Sequence, residues 1–204
     1  IGGSGSYEHV SNSAEVEQKA DQQNKECDTS LLCANTIGIQ SQAASITNTI
    51  GGISGDHYED VSNSAEVEQK AAQNNKDCDS ADCENLILAQ SQAALITNTI
   101  GGTPGGSYED VSNSAEVEQK AEQENKDCDN SSCSNFIDSQ SQDAIITNII
   151  GGGSGHSYED VSNSAEIEQK AEQSNKDCKE GSDCANNLLQ IQDIDLTLTG
   201  NGDY

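Results

Sequence analysis

The chain has 204 residues, of which 36 are acidic and nine basic, giving a formal net charge of −27; 32% are hydrophobic, with one Phe, no Trp and no Met. This balance argues against nucleic acid and anionic lipid as partners, since both need Lys and Arg patches. It also leaves little to fill a conventional core at normal packing density, and no apolar run is long enough to cross a membrane.

Low hydrophobicity with high charge is the composition of disorder. Repetition offers another route to order, because stacked units can hold together through backbone ladders and amide side chains. The stretch Val61-Ser-Asn-Ser-Ala-Glu-Val-Glu-Gln-Lys-Ala has counterparts starting at Val10, Val111 and Val161, spaced 51, 50 and 50 residues apart. A fixed period of that length marks a repeated structural unit. We divide the chain, read as a single repeat domain, into units 1–51, 52–101, 102–151 and 152–204.

Each unit opens with a Gly-rich link, such as Gly51-Gly-Ile-Ser-Gly and Gly101-Gly-Thr-Pro-Gly, which reads as a turn between units. A first periodic segment follows. In the second unit Val61, Asn63, Ala65, Val67, Gln69, Ala71, Gln73 and Asn75 fall on one side, and Ser62, Ser64, Glu66, Glu68 and Lys70 on the other. That is the period of a strand. Local propensity favours a helix, with Glu66 and Lys70 as an i,i+4 pair, but Val and Ala alone would give that helix too thin an apolar face.

Next come the cysteines, one pair per unit: Cys27/Cys33, Cys78/Cys83, Cys128/Cys133 and Cys178/Cys184. An even count at one place in every repeat reads as a disulfide framework in an oxidising, extracellular setting. Zinc is disfavoured, because the three His lie in other segments. Pairing within each repeat is expected; pairing between adjacent repeats is the alternative that strand spacing also permits.

The second segment mirrors the first about each cysteine pair. In the first unit Asn12 meets Asn48, Ala14 meets Ile46, Val16 meets Ala44 and Gln18 meets Gln42; in the second, Asn63 meets Asn98, Ala65 meets Ile96 and Gln69 meets Gln92. The third pairs Asn113 with Asn148 and Gln119 with Gln142. The fourth slips by one residue, placing Gln169 opposite Gln192 and Ile167 opposite Ile194. Each repeat therefore reads as strand, disulfide-closed turn, strand.

The expected fold is all-β, a four-repeat stack of β-arches resembling a β-solenoid; four consecutive long β-hairpins are the alternative. The arch keeps acidic first arms and apolar second arms in separate sheets, which leaves charge in water. Its core ladders would be Val10, Val61, Val111 and Val161; Asn12, Asn63, Asn113 and Asn163; Gln18, Gln69, Gln119 and Gln169; and Gln42, Gln92, Gln142 and Gln192. The outer face of the second arms would carry Ile37, Ile39, Ile87, Leu95, Ile137, Ile145 and Ile149, an apolar surface expected to bury against another copy.

The spaced Asn63, Ala65, Val67 and Gln69, with Gln90-Ser-Gln92, resemble curli-type repeats, and the disulfide-rich acidic composition also resembles amyloid-like sheath or fibre proteins of some archaea. The resemblance implies a secreted, self-assembling structural subunit of an extracellular fibre, sheath or matrix, with other copies of itself as partner.

No catalytic or cofactor motif is present, and the chain is not expected to be an enzyme. Ca²⁺ is the one ligand the acidic residues suggest, at Glu59 and Asp60 or at Asp193, Asp195 and Asp203. A Ca-dependent adhesin or ice-binding solenoid is thus the alternative function, although Thr47/Thr49 and Thr97/Thr99 are not continued in the third repeat. Asn130-Ser131-Ser132 is a lone glycosylation sequon.

Overall fold

The computed structural model describes residues 6–27, 32–50, 57–102, 107–152, 157–158, 160–179 and 181–200. They form an all-β structure of long strands in two parallel sheets. The first arms are β1 (Ser6–Asn24), β3 (His57–Asn75), β6 (Val111–Asn125) and β9 (Ser162–Asn175), with the short β5 (Ser107–Tyr108) and β8 (Ser157–Tyr158) before β6 and β9. The second arms are β2 (Leu32–Ile50), β4 (Asp82–Gly102), β7 (Ser132–Gly152) and β10 (Asp183–Gly200).

One sheet contains only first arms: β3 lies between β1 and β6, β6 pairs with β9, and β5 and β8 extend the sheet beside the start of β3. The other contains only second arms, in the order β10-β7-β4-β2. Among the described residues every pairing is parallel, so the hairpin alternative has no counterpart. Register follows the repeat: Val10 pairs with Val61, Val61 with Val111, and Gln69 with Gln119.

Alternation then sorts the first arm as its period predicts. Val61, Asn63, Ala65, Val67, Gln69, Ala71, Gln73 and Asn75 are all buried, whereas Ser64 and Glu66 are exposed. The apolar core is correspondingly thin, with Ala65, Val67, Ala115 and Val117 of one sheet packed on Ala94, Ile96, Ala144 and Ile146 of the other. Tyr58 with Val61 and Val111 forms a second cluster, and the half-buried Val10 and Val161 extend it.

The sheets are out of step along the stack. Apart from the last, each second arm lies against its own first arm and that of the following repeat: β2 packs on β1 and β3, β4 on β3 and β6, and β7 on β6 and β9. Gln92 displays this directly, donating from Nε2 to the Val67 carbonyl (3.3 Å) and to the Glu118 carbonyl (3.0 Å). Gln142 does the same with Val117 (3.1 Å) and Glu168 (3.0 Å). The Gln42 amide takes the Gln18 N–H at 2.8 Å and donates to the Glu68 carbonyl at 3.0 Å.

One expectation needs correction. Ile37, Ile87 and Ile137 do not lie on the outer face of the second arms; they are buried inside, packed with Ala71 and Ala121. Strand alternation breaks at Gly38–Ile39, Leu88–Ala89 and Asp138–Ser139, where two successive residues face away from the core. Cys83, Asn85 and Ile87 point inward before the break, and Gln90, Gln92, Ala94 and Ile96 after it. An extra residue of this kind resets which face each later side chain takes. β10 lacks the extra residue, and its register with β7 shifts between Leu188 and Gln190.

Left-handed backbone recurs at fixed positions. Asp60, Asp110 and Asp160 have φ of 54°, 52° and 50°, and His9 takes the equivalent place in the first repeat at 57°. Asp, Asn and His tolerate this conformation better than bulky residues do. Glu26, Asp77, Asp127 and Asp177 adopt it again just before each turn cysteine.

Candidate assembly surfaces

Four surfaces of the stack are candidates for function: the disulfide edge, the charged outer face of the first-arm sheet, the outer face of the second-arm sheet, and the two open ends.

The cysteines are joined within repeats, as Cys27–Cys33, Cys78–Cys83, Cys128–Cys133 and Cys178–Cys184. The first three pairs stack into one buried cluster with Ala81, and the half-buried Cys184 packs against it while Cys178 is exposed. Backbone bonds carry the ladder past the strand ends, as from the Cys78 N–H to the Lys126 carbonyl (3.1 Å).

On the outer face of the first-arm sheet like stacks on like. Glu15, Glu66, Glu116 and Glu166 form one column, and Lys19, Lys70, Lys120 and Lys170 another. Burial pushes the Glu66 carboxyl above its ordinary value, and the neighbouring Glu116 and Glu15 carboxylates push in the same direction. Lys120 and Lys170 pair with Glu122 and Glu172, each at 2.6 Å. In the second repeat Ala72 removes that acid, and Lys70 turns to Glu68 instead. Burial pushes Glu124 up, but hydrogen bonds from Lys126 (2.8 Å) and Lys176 outweigh it and hold the carboxyl below its ordinary value. The hydrogen bond from Lys170 lowers Glu172 likewise.

Of the outer-face residues expected on the second arms, Ile39 is 78% exposed, Ile149 43% and Leu95 38%, with Ile145 half-buried. Leu88, Leu189 and Ile191 join them as exposed apolar side chains. Leu88 is missed by strict alternation, because it belongs to the two-residue break.

The candidate Ca²⁺ ligands are not gathered. Asp60 is paired with His9 at 2.7 Å, Glu59 is half-buried, and Asp193 and Asp195 are exposed on β10, the latter accepting a bond from Thr197 at 3.2 Å. Asp203 lies outside the described residues. Among the described residues, the only groups of three possible ligands that converge are cysteines already in disulfides.

Inside, the amides form continuous columns. Gln69 donates to Gln18, Gln119 to Gln69 and Gln169 to Gln119, at 3.0, 3.0 and 2.8 Å. Asn12 donates to Asn63, Asn63 to Asn113 and Asn113 to Asn163, at 2.9, 2.8 and 3.0 Å. Gln92 and Gln142 are stacked in register, and Gln142 donates to Gln92 at 3.2 Å; the side chain of Gln192 lies outside the described residues. Further columns run through Asn24, Asn75, Asn125 and Asn175; Gln22, Gln73, Gln123 and Gln173; Asn35, Asn85, Asn135 and Asn186; and Gln40, Gln90, Gln140 and Gln190. The last two columns were missed, although each residue recurs at one place in all four repeats.

Among the described residues nothing pairs beyond the last strand at either end of the two sheets. β1 and β2 have open outer edges at one end, and β9 and β10 at the other. Among the described residues β10 packs on β9 and on no further first arm. No protein-family model matches this sequence, and no curated protein or solved structure was found to be similar to it.

Proposed function

We propose that this chain is a secreted structural subunit that self-assembles into a durable cell-surface fibre, sheath or matrix. Its unit is a four-repeat stack of β-arches, the two arms of each repeat facing one another across a thin core. The observation that carries this reading is the pair of open ends, where among the described residues the edge strands of two parallel sheets have no further pairing partner. Such edges template the addition of further strands. The disulfides suit an oxidising extracellular setting, where they persist, and they close each turn against reduction-free unfolding. The exposed Ile39, Leu88, Leu95 and Ile149 supply a second, lateral contact between stacks.

The test is direct. Concentrated protein at neutral pH should form filaments by electron microscopy, with a meridional reflection near ~4.7 Å from the strand spacing. Protein that stays monomeric at millimolar concentration, in both low salt and divalent cation, would sink the proposal.

A further inference from the structure

We infer that the subunits join end to end with one polarity, β1 of an incoming copy filling the place beside β10 that has no first arm. This inference rests on the self-assembly proposed above and specifies its geometry.

The half-step offset between the sheets creates the seat. Asn35, Asn85 and Asn135 each donate to a carbonyl of the following first arm, at Asn74 (3.2 Å), Glu124 (3.1 Å) and Ser174 (3.1 Å), and to the Asn75, Asn125 or Asn175 amide of the same arm at 2.9 Å. Asn186 has no following arm. It turns back to the Gln173 carbonyl of its own repeat, at 3.4 Å. Apolar cover is missing at the same place: Ile194 and Leu196 are 49% and 47% exposed, whereas their register partners Ala144 and Ile146 are wholly buried. An arriving β1 would bring the Gln23 carbonyl and Asn24 to Asn186, and Ala14 and Val16 to Ile194 and Leu196. β2 of that copy would follow onto the open edge of β10.

The amide columns select the polarity. Glutamines donate toward the N-terminal repeat and asparagines toward the C-terminal repeat. The β9 end therefore presents Gln169 Oε1 and Asn163 Nδ2 to the next rung, and the β1 end presents Gln18 Nε2 and Asn12 Oδ1. Joined β9 to β1, every donor meets an acceptor. Two like ends brought together would run antiparallel and lose the register on which the columns depend. The join is heterologous and does not close, so it lengthens indefinitely.

Two variants test this, each altering one open end. Val16→Lys puts a charge on the β1 end, and Ile194→Lys on the β10 end. Circular dichroism and a count of four disulfides check folding; if Val16→Lys misfolds, Gln18→Glu replaces it, removing the donor that would meet Gln169. Sedimentation velocity should show each variant alone as a monomer and an equimolar mixture as a 1:1 dimer. Homodimers of either variant would overturn the polarity while leaving self-assembly intact, and so would filaments from either variant alone. Wild-type protein that forms no polymer would instead sink the fibre reading itself.

Discussion

Glu66 stands beside Glu116 on neighbouring strands of one parallel sheet, in register and on the solvent face. A repeat that stacks on itself must stack its charges too, and the carboxyl of Glu66 is raised by desolvation against its neighbours and by the carboxylates on either side of it. A raised carboxyl binds protons more readily folded than unfolded, so its contribution opposes folding above the folded pKa and is relieved as pH falls through it. Glu124 and Glu172 are lowered, so their stabilisation is present at neutral pH and is lost on acidification through their folded values. Stability should therefore rise as pH falls from 7 toward the ordinary carboxylate value of 4.5 and fall below it. Glu66→Gln should raise the melting temperature at pH 7 and flatten that rise. Melts across pH, read by circular dichroism, check both; unchanged melting in the variant refutes the stacked-charge account.

The break in alternation makes a prediction about two adjacent residues. Ile87 is wholly buried, so Ile87→Ala should cost about 2–5 kcal/mol in urea unfolding. Leu88 is 41% exposed on the outer face, and Leu88→Ala should cost the monomer less than about 1 kcal/mol. The reverse order would restore strict alternation through the second arm.

Two buried asparagines should respond with opposite signs. Asn85 donates to Glu124, Asn125 and Asn135 and accepts from Asn35 and Asn75, so Asn85→Ala strands several buried groups. A loss of at least about 2 kcal/mol is expected, since each stranded group costs about 1–3. Asn98 is equally buried, yet neither atom of its amide has a hydrogen-bond partner. Asn98→Val should stabilise the fold by about 1 kcal/mol or more, as an unmade bond is replaced by apolar contact. Equilibrium denaturation compares the two directly.

Reduction should proceed from one end. Cys178 is exposed, whereas the cysteines of the two middle pairs are buried. Limited dithiothreitol followed by alkylation and peptide mass spectrometry should label Cys178 and Cys184 before any other pair. Each closed loop is short, so removing one bridge should cost about 2 kcal/mol on the chain-entropy account. Uniform labelling would refute the gradient.

The first arm was legible to the residue, because Val61 through Asn75 alternates without a break, with uncharged Val, Ala, Asn and Gln inward and all of its Glu and Lys outward. The cysteine pairs were legible for a similar reason, lying at mirrored positions across every turn. The second arm was legible only in its latter half, from Gln90 onward. Before it, mirror counting runs through the two-residue break and inverts Ile87. The clue lay in spacing: Ile37 to Gln40, Ile87 to Gln90 and Ile137 to Gln140 are three apart, an odd interval between two inward residues, whereas Leu188 and Gln190 are two apart. The acid recurring at Asp60, Asp110 and Asp160 marks positions of left-handed backbone, a conformation that alternation alone does not reveal. The half-step between the sheets leaves no trace in a single repeat, since it relates one repeat to the next.

The opposed amide columns have an electrical consequence. A side-chain amide carries a dipole comparable to a peptide group, and a column of aligned amides would sum as the peptides of a helix do. Here the asparagine columns point one way along the axis and the glutamine columns the other. Their fields largely cancel. Adding a repeat therefore adds little axial polarisation from the side-chain amides, and these columns build up little field at the tips of a longer stack.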